Sequence, residues 1–216
     1  MPRFCSKTEL LLTAALAALP VWALAPLSAQ TLQEQVDSAV GAFSEGDYAQ
    51  AYWAFESIEL DYGQEPEFLE ANFQSTVLPV RAYAALMAER PTDALVFFNE
   101  LLRQHAPREG VRAFAMYNYA IALSQTDALA AAASAFRNFQ ESFPGSNEAA
   151  LAKLQEADLL YAIGELDAAN EKLDAFYTSE APATLRMQAR LRALQIASES
   201  EDATRARTIL FGTDWN

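Results

Sequence analysis

The sequence predicts an all-α chain, an α-solenoid of about five stacked antiparallel helix pairs. Three observations predict it. The 216 residues are 52% hydrophobic, rich in Ala and Leu, with only 7 Gly, a composition that favours helix over strand. One residue pattern recurs five times along the chain. Turn residues fall between the recurrences at the places where helices must reverse.

The repeated pattern is a small residue, an Ala twelve positions later, and bulky residues four and seven beyond that Ala. A twelve-residue separation suits two helices that cross closely, with the first small residue midway along helix A and the second early in helix B. The bulky residues share a helix B face with the Ala and would fill the gap against the next helix A. Each pair alone leaves an apolar face uncovered, so the pairs must stack.

Residues 1–29 read as a segment outside the fold. Arg3 and Lys7 form a basic start, Leu10 to Leu24 is a short apolar run interrupted by Pro20, and the small residues Ser28 and Ala29 follow. This is the layout of a secretory signal peptide cleaved after Ala29, with an uncleaved anchor as the competing reading. Removal would leave 13 basic against 28 acidic residues, a net charge of −15, and no cysteine, since Cys5 lies inside the segment. Disulfide and thiol chemistry would leave with it. Cys5 precedes the apolar run, where a lipid-anchoring cysteine would follow it.

Residues 30–216 are expected to form one repeat domain. The first pair carries Ala39, Ala51, Phe55 and Ile58, with Gly46-Asp47 turning between its helices. A long connection follows, in which Pro66 to Gln74, with Phe68, Leu69 and Phe73 at helical spacing, reads as a short extra helix. Thr76 as the next N-cap would place Pro79 in a first turn, where proline is tolerated. The second pair carries Ala82, Ala94, Phe98 and Leu101, and the third Ala120, Ala132, Phe136 and Phe139. Thr92 and Thr126 are the expected N-caps of their B helices. Phe143-Pro144-Gly145-Ser146 then stops one helix, and Ser146 is placed to cap the next. The fourth pair carries Ala157, Ala169, Leu173 and Phe176 around a Gly164-Glu165 turn. The fifth is weaker, with Leu191, Ala203, Arg207 and Leu210, and reads as a polar cap. Successive helix B alanines are 43, 38, 37 and 34 residues apart.

These residues resemble the tetratricopeptide repeat family. The resemblance is carried by Phe43 to Ala51, by Ala132 to Pro144 and by Leu160 to Ala169, and it covers residues 32–212. It implies a right-handed superhelix that binds protein partners. The Phe143-to-Ala150 turn and the 37- and 38-residue spacings are similar to periplasmic repeat proteins of envelope assembly, including those of the Tol–Pal and outer-membrane barrel-assembly systems. The chain departs from the pattern. It lacks the early Trp, has Ala or Leu191 for the helix A Gly, and keeps the closing Pro only at Pro144. The missing lipidation cysteine argues against equivalence with the barrel-assembly lipoprotein.

The formal net charge of −14 disfavours phosphate backbones and anionic lipid. It suits a basic partner, and equally it is the ordinary surface of a soluble helical chain. The single histidine, His105, sits at an expected helix end, where it would favour the helix dipole. No second His or Cys stands ready to join it on a metal, and no calcium loop, phosphate loop or nucleophile elbow occurs. No catalytic, cofactor or metal residue is therefore assigned.

The resemblance implies that helix A residues line a binding groove. By repeat position these include Tyr83, Phe114, Tyr117, Ile121, Asp158, Tyr161, Gln188 and Arg192. Tyr83, Tyr117 and Tyr161 form either a ladder for a peptide or a set of rings packed between helices. Trp53 and Trp215 are expected to cover the ends of the stack. The function expected is an exported scaffold for a protein or peptide partner, without cofactor or catalysis. The alternative is a structural subunit of an envelope complex acting through self-association or helix B faces.

Overall fold

The computed structural model describes residues 31–104 and 108–212. The predicted signal segment with Cys5, and also His105 and Trp215, lie outside the described residues. Within them the chain forms eleven helices and no strand. Five pairs are α1 (Leu32–Ser44) with α2 (Tyr48–Tyr62), α4 (Ala71–Met87) with α5 (Pro91–Gln104), α6 (Glu109–Ser124) with α7 (Leu129–Ser142), α8 (Ala149–Ala162) with α9 (Leu166–Tyr177), and α10 (Ala183–Glu199) with α11 (Ala203–Phe211). The short α3 (Pro66–Leu69) lies between the first two pairs. Partners within each pair pack together, each B helix packs on the next A helix, and A helices of neighbouring pairs also touch, as α4 does α6 and α8 does α10.

Local sequence explains the reversals. Gly46 and Gly164 take φ of +83° and +85° just past the ends of α1 and α8. In the first, the Gly46 and Asp47 amides donate to the Phe43 and Ala42 carbonyls at 3.1 and 2.9 Å. In the second, Gly164 and Glu165 donate to Tyr161 and Leu160 at 3.0 and 2.9 Å. That double bond is the Schellman closure, which satisfies carbonyls a helix end would otherwise leave unpaired. The same closure recurs after α4 and α10 with Glu89 and Glu201 at φ of +59° and +54°. Asp47 and Asp202 then cap the following helices by accepting from the Gln50 and Arg205 amides at 3.0 and 2.9 Å. Thr31 and Glu34 start the stack with a reciprocal capping box.

The core is a series of clusters. The first joins α1 to α4 around Phe55, Ile58 and Phe68. The second joins α2, α4, α5 and α6 around Leu78, Phe98 and Leu101. The third joins α6, α7 and α8 around Phe136 and Phe139, and the fourth joins α8 to α11 around Leu173, Phe176 and Ile196. All sixteen pattern residues of the first four pairs are buried. Burying each large one contributes about 1.5–3 kcal/mol.

Several local expectations are corrected. The extra helix stops at Leu69, and α4 begins at Ala71, so the two halves of the expected 66–74 helix belong to different elements. Pro79 consequently sits inside α4 rather than in a first turn, and the Thr76 hydroxyl donates to the Asn72 carbonyl instead of capping. Thr92 is the second residue of α5, because Pro91 already supplies a helical φ at the first. Thr126 lies in the turn before α7, its hydroxyl donating to the Leu123 carbonyl and accepting from the Ala128 amide. Ser146 precedes the start of α8 by too much to cap it, and its buried hydroxyl has no partner.

The fifth pair is shifted by three residues from its predicted register. In the first, second and fourth pairs the helix B Ala stands five residues past the positive-φ turn residue, as Ala51 does after Gly46, Ala94 after Glu89 and Ala169 after Gly164. Glu201 therefore points to Ala206, with Leu194 twelve positions before it, and both pack against the last cluster. Leu191, by contrast, is 58% exposed, and Ala203 is exposed as well. The Ala94, Ala132, Ala169 and Ala206 spacings become 38, 37 and 37 residues. The final helix is not simply polar either, since Leu210 and Phe211 are exposed beside Arg207. Trp53 does not cover an end. It is 60% exposed and leans on Tyr52 and on Arg90, in the turn between α4 and α5.

Candidate functional site

The first helices of successive pairs present one face, and two cavities open on it. The larger, about 580 Å³, lies between α4, α6 and the 145–148 turn. Tyr83 enters from α4, Ala113, Phe114, Tyr117 and Asn118 from α6, and Glu148 from the turn. The α6 residues recur at three and four positions, which is the period that puts them on one helix face. Tyr83 sits in a ring cluster with Phe43, Tyr48 and Phe114, at centroid distances of 6.0, 6.0 and 5.6 Å. Tyr117 rests on Phe136 and Phe139 of α7 at 5.8 and 5.3 Å. Burial, and next the charge of Glu148, push the Tyr117 phenol above its ordinary value. Asn118 is buried and donates to the Phe114 carbonyl at 2.8 Å, which fixes its amide one turn along the helix.

The second cavity, about 340 Å³, lies between α8 and α10. Leu151, Gln155 and Asp158 line it from α8, and Gln188, Leu191, Arg192 and Gln195 from α10. Arg192 bridges the helices by donating to Asp158 at 2.6 Å, and it reaches Gln195 at 2.7 Å. Gln195 donates to Glu199 at 2.9 Å, and Tyr161 donates to the other oxygen of Glu199. The Arg192 guanidinium lies 5.9 Å from the Tyr161 ring centre. A polar network thus ties α8 to α10 while its outer edges and two leucines stay open to a ligand.

The eight residues expected to line a groove are thus distributed unevenly. Tyr83, Phe114 and Tyr117 meet at the first cavity, and Asp158, Gln188 and Arg192 at the second. Tyr161 lines neither, holding the network below the second. Ile121 packs between the second and third pairs against two core clusters. The tyrosines do not form a free ladder. Each is partly buried and contacts a neighbouring helix, while Tyr83 and Tyr117 keep an edge at the cavity.

Asn118, Glu148, Gln155 and Gln195 also line these cavities and were not expected in the groove, and Leu191, expected to pack between the helices of the fifth pair, lines the second cavity. Gln188, Leu191, Arg192 and Gln195 follow a helical stripe at offsets of 3, 4 and 7, a signal that was present and was obscured by the misread fifth register. Among the described residues, no group of three or more His, Cys, Asp or Glu is placed to hold a metal ion, and no helix is long and apolar enough to cross a membrane.

A family model for the tetratricopeptide repeat-like domain matches residues 80–214. The match runs from within α4 past α11, taking in both cavities and leaving the first pair outside. No curated protein matches the chain. With paired helices stacked in sequence and the family model matched over more than half its length, the chain belongs to the tetratricopeptide repeat-like family.

Proposed function

We propose that this protein is an exported scaffold that holds a protein or peptide partner along the α4–α6–α8–α10 face and performs no catalysis of its own. Tetratricopeptide-like repeats generally mediate protein–protein interaction. The observation that carries the reading here is the pair of cavities on that face, whose combination of aromatic, leucine and amide walls suits successive side chains of one extended or helical segment. The Glu148 carboxylate beside three aromatic rings, on a chain of net charge −14, favours a basic side chain in the first cavity. Export rests on the signal-like residues 1–29. A periplasmic or secreted destination follows from it, and the resemblance to Tol–Pal and barrel-assembly repeat proteins points to the cell envelope.

The test uses Phe114→Ala, Gln188→Ala and Glu148→Lys, three exposed or cavity-edge changes, of which Phe114 alone touches a core ring, Phe98, at a centroid distance of 6.1 Å. Cross-linked partners are recovered from envelope extracts and identified for wild type and each variant, with melting curves alongside. Loss of the same partner at unchanged melting temperature supports the groove. Equal recovery by all three variants rejects it.

A second reading, a structural subunit that self-associates, is favoured by the exposed Leu210 and Phe211 of α11. Sedimentation equilibrium decides it. A concentration-dependent dimer that Leu210→Asp abolishes would support this reading, and a monomer at all concentrations would exclude it.

A further inference from the structure

We propose that a third cavity, between α7, α8 and α9 and away from the two described above, is a binding site for a small anion, a carboxylate or phosphate group. The cavity encloses about 220 Å³ and is lined by Gln140, Lys153, Lys172, Ala175, Phe176 and Ser179. The sequence has three lysines, Lys7, Lys153 and Lys172. Both that lie among the described residues meet at this one cavity.

Lys172 is held from below by Glu156, whose side chain is 0% exposed. One Glu156 oxygen accepts from Arg137 Nε at 2.8 Å and lies 3.0 Å from the Lys172 ammonium. The other accepts from Gln140 Nε2 at 3.0 Å. This network fixes two wall residues from two helices before any ligand arrives, which lowers the ordering cost of binding. Lys172 has three donors and Glu156 takes one direction of them. Lys153 adds a second ammonium, and no carboxylate among the described residues lies within 4.0 Å of it. Two ammonium groups, Lys153 and Lys172, therefore line the cavity and none of its lining residues is a carboxylate, on a chain whose acidic residues outnumber its basic ones 29 to 15.

Glu156 pairs with Lys172, whereas Lys153 is exposed at the cavity edge and keeps its ammonium available to a ligand. The excess positive charge faces a cavity too small for a peptide segment and wide enough for an anionic group on a short stem. Phe176 and Ala175 supply the apolar wall for that stem. The Ser179 hydroxyl already donates to the Phe176 carbonyl and accepts from the Ala181 amide, so it shapes the rim.

The test titrates the purified protein with acetate and, separately, inorganic phosphate, against chloride at equal ionic strength, following amide chemical shifts. Saturable shifts at Lys153, Lys172 and Ser179 are expected. Lys153→Gln should weaken binding by up to about fivefold, the size of one exposed charge contact, with the melting temperature of the ligand-free protein unchanged. Saturation by acetate alone assigns a carboxylate, by phosphate alone a phosphate, and by both a shared anion site. No saturable shift with either, or equal affinity in Lys153→Gln, overturns the proposal. Neither result bears on the protein-binding face, whose variants line the two other cavities.

Discussion

Glu156 shows how one buried charge decides which substitutions the protein can bear. Its carboxylate is fully enclosed, while the side chains of Arg137 and Lys172 keep 48% and 35% exposure. Removing both cations strands a charge with no route to water, whereas removing the carboxylate frees two cations that can be hydrated. Arg137→Ala with Lys172→Ala should cost about 3–5 kcal/mol in urea unfolding, and Glu156→Met less than about 1.5 kcal/mol. Equal costs would refute this asymmetry. The tyrosines give a pH effect with a fixed sign. Burial raises the phenols of Tyr52, Tyr117 and Tyr177, followed for Tyr52 by its hydrogen bond to Asp93 and for Tyr177 by the charge of Asp174. The folded state holds these protons more tightly than the unfolded chain. Their stabilisation is therefore whole below about pH 10 and is lost as pH rises through the folded values. Tyr117→Phe should lose stability less steeply than wild type above that pH, and parallel slopes would contradict the assignment. At this scale the sequence was only partly readable. Nothing in the spacing of Arg137, Glu156 and Lys172 announced that three different helices would bring them together.

Helix ends were the most legible elements where glycine marked them, and the least where it did not. Gly46 and Gly164 turned as their residue type requires, yet Glu89 and Glu201 adopt the same left-handed backbone without the glycine that would reveal it. A side chain at positive φ costs about 1 kcal/mol, part of which glycine's looser unfolded chain cancels. Glu89→Gly and Glu201→Gly should each raise stability by about 0.5 kcal/mol or more, read from chemical denaturation. A loss in both would show that the Glu side chains hold the turns. Thr31-Leu-Gln-Glu34 is a capping box legible in the residue types alone, with no glycine to mark the helix end. The Pro79 misreading has another cause. Tertiary packing of Phe73 and Val77 into the first cluster extends α4 backward through a residue that local rules place near a helix start. Pro79→Ala restores a possible amide bond to the Ser75 carbonyl and should increase stability, by at most about 3 kcal/mol.

Over the whole molecule, apolar periodicity carried enough information to set four pairs in register and to locate the fifth without its register, because each buried face repeats. It carried less about the binding face, since lining a cavity demands no fixed residue type. The clusters are local, so distant core changes should not feel each other. Phe55→Ala in the first cluster and Leu173→Ala in the fourth should cost about 3–5 and 2–5 kcal/mol, and their sum should match the double variant within about 0.5 kcal/mol. A larger discrepancy would mean that the stack behaves as a single cooperative block. The corrected register has one more consequence. With Ala94, Ala132, Ala169 and Ala206 spaced by 38, 37 and 37 residues, each unit meets its neighbours through equivalent surfaces. Chain length is then a variable the architecture can change in whole steps, and a duplicated block of residues 130–166 would meet native-like joints on both sides. The join to the first pair, with its 43-residue spacing and the α3 splice, has no such interchangeability. Growth by duplication would be tolerated from the second pair onward and resisted at the first.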